Sequence, residues 1–138
     1  MGRKILLRIR GSRLDRDGKS NTMELITEGH LSEKDGIYYI EYEESRISGM
    51  EGVKNLISVR EDKVSMQRSG SRPDRFLFEQ GKKYMSSYQT SCGALQMGIY
   101  PIEVTHEMGE NQGQVDLKYQ LDIGGRHTGT GELELFYS

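Results

Sequence analysis

Apolar residues alternate with polar ones along most of the chain, and this period of two restricts its fold more than any other feature. The clearest run is 115–123, where Val, Leu, Tyr, Leu and Ile occupy every second position between charged or amide side chains. Successive side chains of a β-strand point to opposite faces, whereas an amphipathic helix repeats its apolar residues every three or four positions. The pattern therefore predicts antiparallel strands, each with one buried and one solvated face.

Turn signals divide the chain into nine such segments, or ten if the long stretch 94–108 is split. Within that stretch the inward phase switches between Ile99 and Ile102, which predicts a bulge or bend near Pro101. Gly124-Gly125 suits a tight hairpin turn that needs positive φ. A meander of this size tends to close, because closure removes both sheet edges. We predict an all-β fold, an up-and-down antiparallel β-barrel of about eight to ten strands; a filled β-sandwich is the alternative.

The length of 138 residues predicts a single domain, 1–138. A domain of this size can bury a stable core without disulfide bonds or bound metals. A single cysteine excludes a disulfide framework. The longest apolar run, Ile5-Leu6-Leu7, is too short to span a membrane or to form the core of a signal peptide. We therefore expect a cytoplasmic protein with no membrane contact.

The charge is divided unevenly along the chain. Residues 1–22, the basic head, carry seven Lys or Arg against two Asp, a net charge of +5, whereas the remainder carries −7. Within the basic head, the polar stretch 11–22 is interpreted as a loop after a first strand. Basic loops beside aromatic strands are typical of barrels that bind single-stranded nucleic acid. The acidic remainder argues against that partner, and a solvated charged face is the simpler interpretation.

Three polar side chains continue the inward phase at strand ends that should lie together. Hairpins reverse the chain at each turn, so the segments at 36–45, 63–69, 83–88 and 113–123 should share one direction. Glu44, Arg68 and Tyr88 lie at the ends of the first three. An inward charge in a dry core is costly unless it is paired. These residues could therefore form a Glu44–Arg68 ion pair that closes the barrel end, or lie at strand ends that are already in solvent. The functional alternative is an anchor for an anionic or hydroxyl-bearing ligand.

The ligand interpretation predicts a non-enzymatic barrel that holds a small, partly apolar molecule with an acidic or hydroxyl group in its lumen. Arg68 would be the charged anchor, and Glu44 would orient it. Three tyrosines would line the lumen: Tyr84, Tyr88 and Tyr119. The alternative function is an interaction module, acting as a homodimer or binding RNA. RNA would contact the basic head and the basic loop formed by Arg68, Arg72 and Arg75, with Lys82 and Lys83 nearby.

We find no sequence pattern typical of a catalytic or metal-binding site. His30, His106 and His127 lack the spacing of a zinc site. Cys92 has no local base signature, and the glycines at 124–131 lead into a strand pattern instead of a phosphate-binding helix. We therefore predict no enzymatic activity, no metal site and no cofactor.

A set of spaced residues resembles the YwiB-type family of bacterial domains. In matching order these are Val64-x-Met66-x-Arg68-x-Gly70, Phe78-x-x-Gly81, Tyr88-x-Thr90-x-x-Gly93 and Val115-x-Leu117-x-Tyr119-x-Leu121. The similarity covers nearly the whole chain beyond about residue 23. It implies a calycin-like, lipocalin-related β-barrel and no particular activity. The marked positions of the family fall on Arg68, Gly70, Phe78, Tyr88, Thr90, Gly93 and Tyr119. Ser91 and Cys92 depart from the Pro and aromatic residue that the family tends to have there.

Overall fold

The computed structural model describes residues 2–15, 17–43, 54–69, 74–90 and 93–138, apart from the side chains of 74 and 88–90. All regular structure in these ranges is β-strand. The strands are β1 (Gly2–Asp15), β2 (Ser20–Lys34), β3 (Ile37–Glu43), β4 (Lys54–Val59), β5 (Lys63–Arg68), β6 (Asp74–Glu79), β7 (Tyr84–Thr90), β8 (Gly93–Met108), β9 (Gly113–Ile123) and β10 (Arg126–Tyr137). No helix that is long and apolar enough to cross a membrane occurs in the described ranges.

The ten strands form one antiparallel sheet in the order β6-β5-β4-β3-β2-β1-β10-β9-β8-β7. Pairing of β1 with β10 joins the two ends of the chain, from Leu7 opposite Tyr137 to Asp15 opposite Gly129. The sheet curls until β6 contacts β7 and β8, so the barrel is nearly closed. This confirms the predicted up-and-down antiparallel barrel, which is consistent with a calycin-like fold, over a sandwich.

Closure does not remove both edges, because no continuous hydrogen-bonded ladder joins β6 to β7 among the described strands. The seam is held by single bonds instead. The Gly81 N–H donates to the Pro101 carbonyl at 3.0 Å, and the Val104 N–H to the Gln80 side-chain carbonyl at 3.4 Å. Further down, His106 Nε2 lies 3.1 Å from the Glu61 carbonyl oxygen.

The alternating apolar residues face inward and form one core. Leu7, Ile40 and Tyr137 are fully buried in it. On the outer face, charged side chains pair across neighbouring strands, as Lys118 does with Glu132 at 3.8 Å. The division into one dry and one wet face is the outcome that strict alternation predicts.

The predicted loop at 11–22 is wrong. β1 continues to Asp15 and β2 begins at Ser20, and the two stay in register to the pair Leu14–Ser20. The stretch is polar because this end of the hairpin projects into solvent. Met23 lies on the inner face yet is 76% exposed. Ladder bonds from β1 to both β10 and β2 therefore keep a strand hairpin where side-chain composition indicates a loop.

The predicted bulge in β8 is confirmed, but one of its inward residues is wrong. The register of β8 against β9 shifts between Pro101 and Glu103. Pro101 takes the buried position, whereas Ile102 is 40% exposed. Proline is suited to the bulge because it has no N–H to lose from a ladder. At the next turn, Gly124 and Gly125 have φ of 60° and 83°, as a primed hairpin turn requires.

Candidate functional site

β1, β3, β5, β7 and β9 all end at the same end of the barrel, because every neighbouring pair in the sheet is antiparallel. We call this end the mouth. The result confirms the direction predicted for the segments at 36–45, 63–69, 83–88 and 113–123. The opposite end is packed. There the Tyr137 hydroxyl donates to the Gly109 carbonyl at 2.6 Å and accepts from the Gly109 N–H at 3.1 Å.

An apolar cavity of about 240 Å³ lies inside the barrel toward the mouth. Six strands contribute to its wall, with the residues Arg13, Met66, Phe76, Phe78, Met97, Ile99, Tyr119, Leu121, Thr130, Gly131 and Leu133. Among the lining residues that the structure describes, Arg13 alone carries a full charge. The lumen is therefore incompletely filled, and its free space has a mostly hydrocarbon and thioether surface with one cation.

Tyr119 forms the aromatic wall of the cavity. Its ring centroid lies 5.4 Å from that of Phe78, with 58° between the ring planes. It lies directly opposite Gly131 in the ladder, and a Cβ at that glycine would overlap the ring. Burial raises the pKa of the Tyr119 phenol above its ordinary value of 10.0, and Arg13 offsets part of the rise. The hydroxyl is therefore protonated at neutral pH and can donate a hydrogen bond.

Arg13 is the cation at the rim of the cavity. It follows Ile9 and Gly11 on the inner face of β1 and lies opposite Gly131 in the register with β10. Its Nε lies 3.6 Å from Asp15 Oδ1, and 46% of its side chain is exposed. Its guanidinium makes no hydrogen bond to any residue within the described ranges. We missed this residue in the sequence, although the every-second-residue phase from Ile5 extends to it.

Arg68, the predicted anchor, also faces inward near the mouth but lies outside this cavity. Its Nε donates to Asn55 Oδ1 at 3.4 Å, and Asn55 is 7% exposed. Arg68 borders a smaller space of about 90 Å³, and Met66 and Phe76 line both spaces. Its predicted partner, Glu44, lies outside the described residues. The amide of Asn55, which the sequence analysis did not single out, is the partner that the structure shows.

Of the three predicted tyrosines, Tyr119 lines the cavity. Tyr84 is half-buried at the start of β7, opposite Ile99, and is not part of the cavity wall. Tyr88 lies in β7 opposite Leu95, and its side chain is outside the described part of the structure. The structure thus brings Tyr119 together with Arg13 and not with Arg68.

A larger depression of about 630 Å³ lies against β1 to β5. Charges of both signs line it, and one ion pair forms among its described residues. Lys4 Nζ lies 3.6 Å from Glu28 Oε2, and Glu43 is opposite Lys54 in the ladder. Such a surface offers water-exposed ion pairs and no dry compartment, so the smaller apolar cavity is the better candidate for a ligand.

Two cations of the basic head, Lys4 and Arg8, form cross-strand ion pairs with β2. On the outer face, an Arg8 guanidinium nitrogen lies 3.2 Å from Glu24 Oε1, in addition to the Lys4–Glu28 pair. These pairs are exposed and contribute less than about 1 kcal/mol each to stability. They do, however, reduce the positive field that a nucleic-acid backbone would meet on this face. Among the described residues, no group of three or more His, Cys, Asp or Glu could hold a metal ion.

Residues 7–135 match the family model described as "Domain of unknown function (DUF1934)". The chain belongs to this family. The crystal structure of the ywiB protein from Bacillus subtilis is similar, with a TM-score of 0.84 and 23% sequence identity. That match covers 99% of this chain and 92% of the other, which confirms the YwiB-type resemblance and the fold of this DUF1934 domain. Comparison with curated proteins gave no match.

Proposed function

We propose that this barrel binds a small, partly apolar ligand with an acidic head group in the cavity beneath its mouth. One observation carries the proposal: a mostly apolar cavity of about 240 Å³ has one guanidinium, that of Arg13, among the described residues of its wall. An apolar void of about 150 Å³ already holds benzene, whereas drug-sized ligands use about 300–1,000 Å³. The space therefore suits a short alkyl chain or a single ring.

Two hydrogen-bond donors lie at the polar end of this space. The Arg13 guanidinium and the protonated Tyr119 hydroxyl both lack hydrogen-bond partners within the described part of the chain. Arg13 pairs well with carboxylate oxygens, and Tyr119 supplies an O–H that does the same. We infer that one oxygen of a ligand carboxylate accepts from Arg13 and the other from Tyr119.

The proposed role is binding and not catalysis. The described residues that line the cavity include no carboxylate, histidine or cysteine, and the carboxylate at its rim, Asp15, is paired with Arg13. General acid–base and nucleophilic catalysis most often use such groups, unpaired and within reach of the bound molecule. The site therefore supports retention and transfer of a ligand, with the body of the molecule held by Met66, Phe76, Phe78 and Met97.

The test begins with native mass spectrometry of protein isolated from its host, compared with the denatured mass, to detect a retained small molecule. Direct titration then uses octanoate as the probe. Arg13→Gln should weaken octanoate binding by about tenfold, as expected for loss of a charge-assisted hydrogen bond at a half-exposed site. Arg8→Gln is the matched control, because Arg8 lies on the outer face of the same strand and is paired with Glu24.

The proposal fails if octanoate does not bind the wild-type protein, or if the two arginine variants bind it equally well. Filling the cavity provides a second check that does not depend on charge. Leu133→Phe should reduce binding of both octanoate and uncharged octanol, because it places a ring in the space that the alkyl chain needs.

As a second candidate function, we propose an isologous homodimer through the outer face of β10, β1 and β2. Leu6, Ile26 and Phe136 are 54%, 60% and 43% exposed there. Arg8 lies between Ile26 and Phe136 in the ladder, and Glu24 beside it gives the face both signs of charge. A two-fold axis that passes between Arg8 and Glu24 places each of them opposite the other residue in the second copy, so that unlike charges meet.

Molar mass measured by light scattering over a range of concentrations tests the dimer. Ile26→Glu should yield monomer, whereas Met85→Glu, on a 52% exposed residue of β7, should not. A wild-type protein that is monomeric at all concentrations contradicts this candidate.

A further inference from the structure

A carboxylate already occupies one side of the proposed anchor. Asp15 lies two residues after Arg13 on the inner face of β1, and its Oδ1 is 3.6 Å from Arg13 Nε. The side chains of Arg13 and Asp15 are 46% and 42% exposed, so the pair lies at the rim where the cavity meets solvent. A ligand whose head group reaches Arg13 must therefore approach Asp15 as well.

The backbone holds Asp15 in this position. Its N–H donates to the Lys19 carbonyl at 2.8 Å, and its carbonyl accepts from the Gly18 N–H at 3.0 Å. On the other side it lies opposite Gly129 of β10. A Cβ at Gly129 would overlap the Leu14 carbonyl, so β10 approaches β1 closely at this point. Because two strands fix the Asp15 backbone, the carboxylate cannot move far from the rim.

The charges at the rim determine which anions fit. Asp15 compensates the positive charge of Arg13, which is the one cation among the described residues that line the cavity. A monoanion can share the guanidinium, whose two terminal nitrogens are not engaged by Asp15. A second negative charge on the ligand meets no further cation among the lining residues that the structure describes, and it is repelled by Asp15.

We infer that Asp15 is a specificity-determining residue that competes with the ligand for Arg13 and restricts the site to monoanionic head groups such as carboxylates. This inference rests on the proposed function of the cavity. Asp15 lowers affinity for every anion to some extent, and for dianions most. Uncharged molecules of the same length are unaffected by it.

The experiment compares three probes with one alkyl chain: octanol, octanoate, and octyl phosphate, which is mostly dianionic at pH 7.5. Asp15→Asn should tighten octanoate binding by about two- to fivefold, the range that an exposed ion pair allows. It should tighten octyl phosphate binding by a larger factor and leave octanol unchanged. Asp15→Ser, with a smaller side chain, should do the same. Glu24→Gln, which removes the carboxylate paired with Arg8 on the outer face, should change none of the three.

The inference is overturned if octanoate binds the wild type but neither Asp15 variant changes the ratio of octanoate to octyl phosphate affinity. It is also overturned if octanol gains as much as the anions, because the effect would then be steric. Failure of octanoate to bind the wild type, or equal binding by Arg13→Gln and Arg8→Gln, overturns the proposed function itself. Thermal unfolding of each variant establishes that the compared proteins are folded.

Discussion

The ring of Tyr119 lies over Gly131 on the adjacent strand, in space that the side chain of any other residue would occupy. Gly113 and Tyr137 repeat the arrangement at the packed end of the same strand pair. In each case an aromatic side chain covers the bare backbone of a directly opposite glycine. At Tyr119 the arrangement keeps the phenol beside Arg13 and holds the cavity wall in place. The strand pair β9–β10 thus sets the shape of the candidate site.

Gly131→Ala should both destabilise the fold and weaken ligand binding. Its new Cβ overlaps the Tyr119 ring, and overpacking of this kind costs about 1–3 kcal/mol. The ring must move away from Arg13, so the two donors no longer meet one carboxylate. Gly11→Ala is the control, because a Cβ there meets Leu133 at an ordinary 3.8 Å. Urea unfolding and octanoate titration measure the two effects; equal behaviour of the two variants contradicts the role given to Gly131.

Removing the Tyr119 hydroxyl tests its contribution to ligand binding separately from the packing of its ring. Tyr119→Phe keeps the contact with Phe78 and should lower octanoate affinity by about two- to tenfold, since a net hydrogen bond contributes about 0.5–1.5 kcal/mol. Stability should change little, because this hydroxyl has no described partner. Tyr137→Phe should do the opposite: it loses both bonds to Gly109 and destabilises the protein without affecting octanoate. Urea unfolding and octanoate titration distinguish these outcomes. If only Tyr137→Phe weakened octanoate binding, Tyr137 and not Tyr119 would be the ligand-binding tyrosine.

Alkaline pH should destabilise the protein through Tyr119. Burial holds the pKa of its phenol above 10.0 in the folded state, and the unfolded chain has the ordinary value. The folded state therefore binds this proton more tightly, so the stabilising effect is complete below pH 10 and is lost as the pH rises through the folded-state pKa. The free energy of unfolding should fall less steeply above pH 10 in Tyr119→Phe than in the wild type. Identical slopes would mean that ionisation of Tyr119 is not linked to unfolding.

Arg3→Met should leave stability unchanged or increase it by up to about 1–2 kcal/mol. The Nε and Nη2 atoms of Arg3 are buried and have no hydrogen-bond partner in the described structure. Replacing an unsatisfied polar group with an apolar one of similar length removes a desolvation cost. Arg8→Met, which breaks an exposed pair, provides the comparison. A marked loss of stability in Arg3→Met, seen as a lower urea midpoint, contradicts this view of Arg3.

The sequence indicated the fold well because its strongest signal is local. Alternation in runs such as 115–123 depends only on neighbouring residues, and with the turn signals it correctly predicted most strand faces, the shared strand direction and the bulge near Pro101, but not the exposed face of Ile102. It failed at 11–22, where both faces of the hairpin are wet and composition no longer distinguishes strand from loop. There the ladders to β2 and β10 decide the structure.

The candidate site depended on packing between residues distant in the sequence. Arg13, Arg68 and Tyr119 all have an inward phase, so alternation by itself could not rank the two arginines. Met66 and Phe76 line the spaces on both sides and separate Arg68 from the cavity, whereas Gly131 leaves room for Tyr119 beside Arg13. The sequence alone determined which side chains face the lumen, because side-chain direction follows from backbone period. Only the tertiary structure decided which of them meet, because that depends on register and on the volumes of residues from six different strands.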